Sequence, residues 1–179
     1  MIIAFTGRAG SGKDYQANIL KDKGFIKLAF ADSLREIAAK TLGMDLKYVL
    51  DNYDYLKSTN LVNNLNFRHI LENLGSSIRA QSEEFLINCL INRIAKNLHM
   101  NYCISDLRYP NEFKKLSSFC ESKGIEFKCV FCNFRSHRYQ EINNHESARF
   151  SNYLSTIGLN DLELVSEDHV KEYEEYNGQ

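Results

Sequence analysis

The stretch GRAGSGKD at residues 7–14 spaces three glycines, Gly7, Gly10 and Gly12, ahead of Lys13 and Asp14. Gly7, Gly12 and Lys13 satisfy G-x-x-x-x-G-K directly after an apolar run and before a helical stretch, which is the context this phosphate-binding pattern requires. The physics is a tight turn whose backbone N–H groups face inward and which needs residues without a Cβ at the closest approach. It ends on the positive end of a helix dipole, so N–H groups, dipole and the Lys13 ammonium act together on phosphate oxygens. The triphosphate of a nucleotide is expected along Gly7, Arg8, Ala9, Gly10, Ser11, Gly12, Lys13, Asp14 and Tyr15. Asp14 stands where the commonest form of the motif has a hydroxyl that ligates Mg2+. A carboxylate is a hard oxygen donor that could bind the ion directly or through its water shell, and it also favours a helix N-terminus with no ion at all.

Five cysteines, Cys89, Cys103, Cys120, Cys129 and Cys132, lie mostly inside apolar stretches and read as reduced core thiols. Cys129 and Cys132 form a C-x-x-C followed by His137, but the next ligand of a zinc knuckle falls on Ile142, and His145 is out of register. A strand carrying two thiols is the preferred reading. His137 and His145 read as solvent-facing loop residues.

The elements that must position this chemistry alternate. IIAFTG, FIKLAFA, YCISDLR, EFKCVFC and LELVS read as strands. Between them, SLREIAAKTLG, FRHILENLGSSIRA and SEEFLINCLINRIAKNL have helical period. Asp32 or Ser33 serves as N-cap of the first of these, and Gly43 as its stop. Pro110 marks the start of another helix that Gly124 closes, and ARFSNYLSTIG suggests one more. The expectation is an α/β fold, a three-layer sandwich around a central five-stranded parallel sheet. With 179 residues, 44% of them hydrophobic, the chain reads as one domain. A net charge of -1, from 22 basic and 23 acidic residues without blocks of like charge except a mildly acidic tail, KEYEEYNGQ, argues against a nucleic-acid partner. No apolar run has the length of a membrane span and no signal-peptide pattern opens the chain, so a cytoplasmic protein is expected.

GRAGSGKD, then LAFADSLREIAAKTLG, then LENLGSSIR, then SDLRYPNE resemble, in this order, the deoxynucleoside monophosphate kinases of the bacteriophage type, a branch of the P-loop kinases. The resemblance covers residues 5 to 112 and continues more weakly to NNHESA. Its one departure is Tyr15, where members of the family carry Thr. The resemblance implies a parallel sheet flanked by helices, a helical acceptor-binding region over about 32–98 and a lid over about 133–150. It also implies transfer of the γ-phosphoryl of ATP to a deoxynucleoside monophosphate with Mg2+, and it suggests a homodimer. One proline and many Asn, Lys and Tyr residues suit an A+T-rich genome such as a phage.

Carried over to this chain, the resemblance puts Lys13 on the transferring phosphoryl and Asp32 and Arg35 on the monophosphate side. Arg35 could also be a solvated helix residue. Arg68 and Arg79, at the start and near the end of one helix, are candidate phosphate ligands or surface charges. Asp106 ends a strand at the side where parallel sheets bind ligands; it could hold Mg2+ through water or the nucleoside sugar, and Arg108 could grip the monophosphate. The plain alternative is an Asp106 that caps the YPNEF helix with Glu112 as partner; Glu112 is otherwise a substrate contact. Arg135 and Arg138 fall in the lid, whose closure would exclude water. Two further readings stay open: a P-loop kinase for another phosphorylated acceptor, such as phosphomevalonate or dephospho-coenzyme A, and a module that holds ATP without catalysis.

Overall fold

A computed structural model of the chain describes residues 1–133 and 148–177. The segment expected as a lid, with Arg135, His137, Arg138 and His145, therefore lies largely outside the described residues. The residues group into two compact units, Met1–Ala29 with Leu90–Gln179, and Phe30–Cys89.

The first unit begins with β1 (Ile2–Thr6), α1 (Lys13–Asp22) and β2 (Ile26–Leu28). The second holds α2 (Asp32–Thr41), α3 (Leu46–Asp51), α4 (Tyr53–Leu56), β3 (Asn60–Val62), β4 (Leu65–Asn66) and α5 (Phe67–Gln81). α6 (Phe85–Ala95) has residues in both. The first unit then continues with β5 (Tyr102–Ile104), α7 (Pro110–Ser122), β6 (Phe127–Phe131), α8 (Arg149–Thr156), β7 (Glu163–Leu164) and α9 (Glu167–Asn177).

Its sheet has the order β2-β5-β1-β6-β7. β1 pairs in parallel with β5 on one side and β6 on the other, and β2 pairs in parallel with β5. Ile2, Ala4, Phe5 and Thr6 are all buried, as expected of a central parallel strand covered on both faces. On one face Phe5, Ala17, Cys103 and Cys132 pack together, with Ile3, Leu20, Phe25 and Val130 around them. The α/β class and the five-stranded, helix-flanked sheet agree with the sequence reading.

The fully parallel sheet does not. β7 pairs antiparallel to β6, Phe131 opposite Glu163 and Val130 opposite Leu164. The physical reason is where the chain re-enters. Leu162 N donates to Phe131 O at 2.7 Å, so β7 starts beside the carboxyl end of β6 and has only the return direction to take. A parallel strand would need a full crossover first. At a sheet edge, a two-residue strand with both side chains exposed tolerates this.

A second correction concerns α2. Ala31, not Asp32 or Ser33, is its N-cap, and no side chain caps it. Asp32 is already helical, and its carboxylate accepts a hydrogen bond from Arg35 one turn on. Residues 44–66, which carry no clear period, form α3, α4 and a hairpin whose turn residues Asn63 and Asn64 both have positive φ, 49° and 63°. That is the type I′ geometry in which Asn is favoured. The acidic tail is α9, anchored by Val170 and by Tyr173, whose ring meets Phe150 and Tyr153.

The core of the second unit joins Leu34, Ala38 and Ala39 of α2 to Val49, Leu56, Phe67, Leu71 and Leu86. Phe67 is fully buried at its centre. Among the described residues no helix is long and apolar enough to cross a membrane. Phe67→Ala is expected to cost about 3 to 5 kcal/mol, the usual range for emptying a buried aromatic site, read as a lower urea midpoint.

Candidate functional site

β1, β5 and β6 are adjacent and parallel, so the segments leaving their carboxyl ends emerge on the same side. These segments are residues 7–12, 105–109 and 132–133. Order in an open parallel sheet also reverses here: from β1 the chain goes outward to β2 and later returns past β1 to β6, and such switch points are where α/β sheets bind ligands.

Gly7, Gly10 and Gly12 all have positive φ, at 143°, 77° and 89°. At Gly7 the constraint is also steric, because an added Cβ would lie 2.2 Å from the Cys132 carbonyl oxygen and 2.6 Å from Ser11 Oγ. Ser11 N donates to Arg8 O, closing the turn. Gly12 is the N-cap of α1 and supplies no side-chain cap, so the first turn offers its N–H groups to whatever lies beyond.

Lys13, the first residue of α1, is 8% exposed. Its Nζ donates to Gly7 O and Arg8 O, each at 2.6 Å. Burial, and next the positive charge of Arg108, lower its pKa to about 8, while Cys132, Asp14 and Asp106 act in the opposite direction. The loop, the residues after β5 and the residue after β6 thus share one electrostatic environment. Two further polar atoms here, Thr6 Oγ1 and Arg8 Nε, are buried without a hydrogen-bond partner.

Asp14 lies beside the loop but is exposed, and its carboxylate forms an ion pair with Lys27 of β2 at 2.9 Å. Lys27 Nζ also donates to Asn18 Oδ1. Tyr15 is exposed. Asp106 is half-buried just past β5. Among the described residues no group of three or more His, Cys, Asp or Glu side chains could hold a metal. Asp14 and Asp106, the two carboxylates expected to meet Mg2+, both act on the charge of Lys13, and a hard carboxylate oxygen is the kind of donor that ion takes, one or two at a time, beside water and substrate phosphates.

Arg108 is exposed, on a turn that Glu112 holds from beneath. Glu112 is 3% exposed, and its Oε2 accepts from Arg108 N at 2.7 Å and Tyr109 N at 3.1 Å. It therefore caps α7, with Pro110 at the first helical position. Glu112, expected as a substrate contact or as a partner in capping this helix, anchors the backbone that carries Arg108.

The remaining candidates belong to the second unit. Arg35 Nη1 donates to Asp32 Oδ1 at 2.7 Å, and both side chains are half-buried. Arg79 lays its guanidinium against Gly75, where an added Cβ would be 3.1 Å from Nη1 and 3.2 Å from a methyl of Leu34. A helix-interior glycine costs up to about 1 kcal/mol relative to Ala; here it leaves room for the arginine. Arg68 stands on the exposed face of α5, paired with Glu72 one turn on. The structure thus brings Lys13, Asp106 and Arg108 together at the loop and Asp32 with Arg35, and leaves Arg68 apart in an ordinary helix-surface ion pair. Tyr53, Gly75, Lys27 and Cys132 were not legible as parts of either arrangement.

All five cysteines are unpaired; four are buried and Cys89 is half-buried. Burial pushes the thiols of Cys120 and Cys132 up to about 11 and that of Cys129 further. Protonated, buried thiols are what core packing produces.

No protein-family model matches the chain, and no curated protein matches it either.

Lys13 makes stability depend on pH. Its folded-state pKa of about 8 lies below the ordinary 10.5, so the unfolded chain binds more protons between these values. The penalty for burying the ammonium is complete below pH 8 and disappears as pH rises through that window. Wild-type stability relative to Lys13→Met, which does not titrate, is expected to rise by about 3 kcal/mol between pH 7 and 10.5, measured by urea unfolding.

Proposed function

We propose that the protein is an ATP-dependent deoxynucleoside monophosphate kinase. The observation that carries this reading is the convergence on Lys13. A strand-to-helix glycine loop, a buried ammonium and the exposed Arg108 from the neighbouring parallel strand share one side of the sheet. Two close cations beside backbone N–H groups suit a polyanion, and Arg8 Nε, buried without a partner, adds a donor at the same loop.

The reaction asks little covalent chemistry of the protein. An oxygen of the acceptor phosphate forms the new bond to the γ-phosphorus, the bond from that phosphorus to the β–γ bridging oxygen breaks, and ADP leaves with the electron pair. Catalysis is then placement and charge neutralisation. In this reading the loop N–H groups and Lys13 hold the donor phosphates, and Lys13 moves from the Gly7 and Arg8 carbonyls to the phosphoryl oxygens. Arg108 stabilises the charge that develops on the migrating group. Arg35, positioned by Asp32, binds the acceptor monophosphate, and Arg79 adds a second cation on the acceptor side. Mg2+, held by Asp14 and Asp106 through water, would supply further neutralisation of the triphosphate. The chain's ancestry in the bacteriophage-type kinases and its cytoplasmic setting belong to the same proposal.

The test is a coupled ADP-release assay with MgATP and each of dTMP, dGMP, dCMP and dAMP beside their ribose counterparts. Turnover with at least one deoxynucleotide is expected, reduced about 100-fold or more in Lys13→Ala and Arg108→Ala, the scale for losing one electrostatic stabiliser. If every nucleotide fails as acceptor while MgATP still raises the melting temperature, the reading is overturned in favour of another phosphorylated acceptor or a non-catalytic ATP holder.

A further inference from the structure

Tyr53, the first residue of α4, touches the one arginine of the second unit that Asp32 already grips. Arg35 Cζ lies 5.2 Å from the centroid of the Tyr53 ring, within cation–π range. The ring itself is located from another side: Phe67, fully buried, meets it edge-on with centroids 6.1 Å apart and planes at 88°. Lys57 Nζ is 5.9 Å from the same ring, but Lys57 is exposed and has a carboxylate of its own in Asp54. The Arg35 guanidinium is thus fixed by a 2.7 Å bond to Asp32 at one atom and by an aromatic ring that is anchored in the core.

We propose that Tyr53 is a positioning residue for the acceptor: its ring holds the Arg35 guanidinium in the orientation that receives the monophosphate. The inference rests on the kinase reading, with Arg35 as the phosphate contact. An arginine left to rotate loses much of its rotamer freedom when an anion binds, and that loss is charged against affinity. Ordered in advance by Asp32 and Tyr53, Arg35 meets the phosphate with the loss already taken in folding. The effect falls on acceptor binding and not on the transfer step, because once bound the phosphate itself locates the guanidinium. MgATP binding, which uses the glycine loop, is untouched.

Steady-state kinetics on Tyr53→Leu, Tyr53→Phe and Arg35→Ala, with the accepted deoxynucleotide and its unphosphorylated deoxynucleoside as competitor, test this. Tyr53→Leu keeps apolar bulk against Phe67 but removes the ring. It should raise KM for the monophosphate about fivefold, the worth of a modest cation–π contact, with kcat within about twofold and KM for MgATP unchanged. The inhibition constant of the deoxynucleoside, which has no phosphate, should stay the same, and Tyr53→Phe should restore the wild-type KM because it keeps the ring. In an Arg35→Ala background Tyr53→Leu should add nothing. Should the leucine variant unfold, Tyr53→Met provides the same comparison. An unchanged KM in a folded ring-less variant overturns this inference alone. So does a weaker deoxynucleoside, which would assign Tyr53 to the base, or a full effect that persists without Arg35. Absence of wild-type turnover with every monophosphate overturns the kinase reading and this inference with it.

Discussion

The carbonyl oxygen of Cys132 occupies the space that a side chain at position 7 would need. β1 and β6 are paired through their last residues, Thr6 opposite Phe131, and Cys132 N donates to Thr6 O, so the two chains leave the sheet pressed together. With 2.2 Å available to a Cβ and a φ of 143°, only glycine lets β1 exit here. The turn that follows is forced tight, and it presents the Gly7 and Arg8 carbonyls to the Lys13 ammonium. The fold of the sheet and the chemistry of the loop are therefore one constraint. Strand pairing decides where the loop begins, and the loop decides where the buried charge sits.

That charge is costly, and its surroundings show how the cost is shared. Two carbonyl oxygens satisfy Nζ, while Asp14 and Asp106 favour the charged form and Arg108 opposes it. Asp14 has its own cation in Lys27, which reduces what it can offer Lys13. An ammonium disfavoured first by burial and next by the neighbouring Arg108 charge, with acids only partly answering it, is one that an added anion would relax. In the second unit the balance is the reverse: Arg35 is matched by Asp32 and a ring, and so is placed without strain.

What could be read from the chain alone was local. Gly7, Gly12 and Lys13 announce themselves because the turn they make involves neighbours in sequence, and the strands show as short apolar runs because parallel strands are buried on both faces. Asp32 and Arg35 were singled out only through the resemblance, and neither their contact nor the start of α2 was legible, where a side-chain cap was expected and Ala31 stands. The direction of β7 was hidden because it depends on Leu162 reaching Phe131, a contact between distant residues. The hairpin at Asn63 and Asn64 had a signal in its Asn pair, and α9 in the spacing of Val170, Tyr173 and Tyr176, but flanking polar residues masked both periods. At Glu112 an acid near a strand end reads equally as a ligand or a cap, and its burial and two N–H donors show the capping role. Tyr53 had no signal, since its position depends on α2 and α5 meeting α4 in space.

The anchoring of the turn after β5 by Glu112 bears on how such a protein changes over generations. Glu112 holds the main chain at residues 108 and 109, and it does so through backbone N–H groups that every amino acid except proline possesses. The main chain at 108 is thus held in place through a group that does not depend on which side chain stands there. A substitution there changes the charge beside Lys13 while the two hydrogen bonds that Glu112 accepts from the main chain stay available to any residue but proline. Position 112 has the opposite character: it carries no message to solvent and tolerates little change.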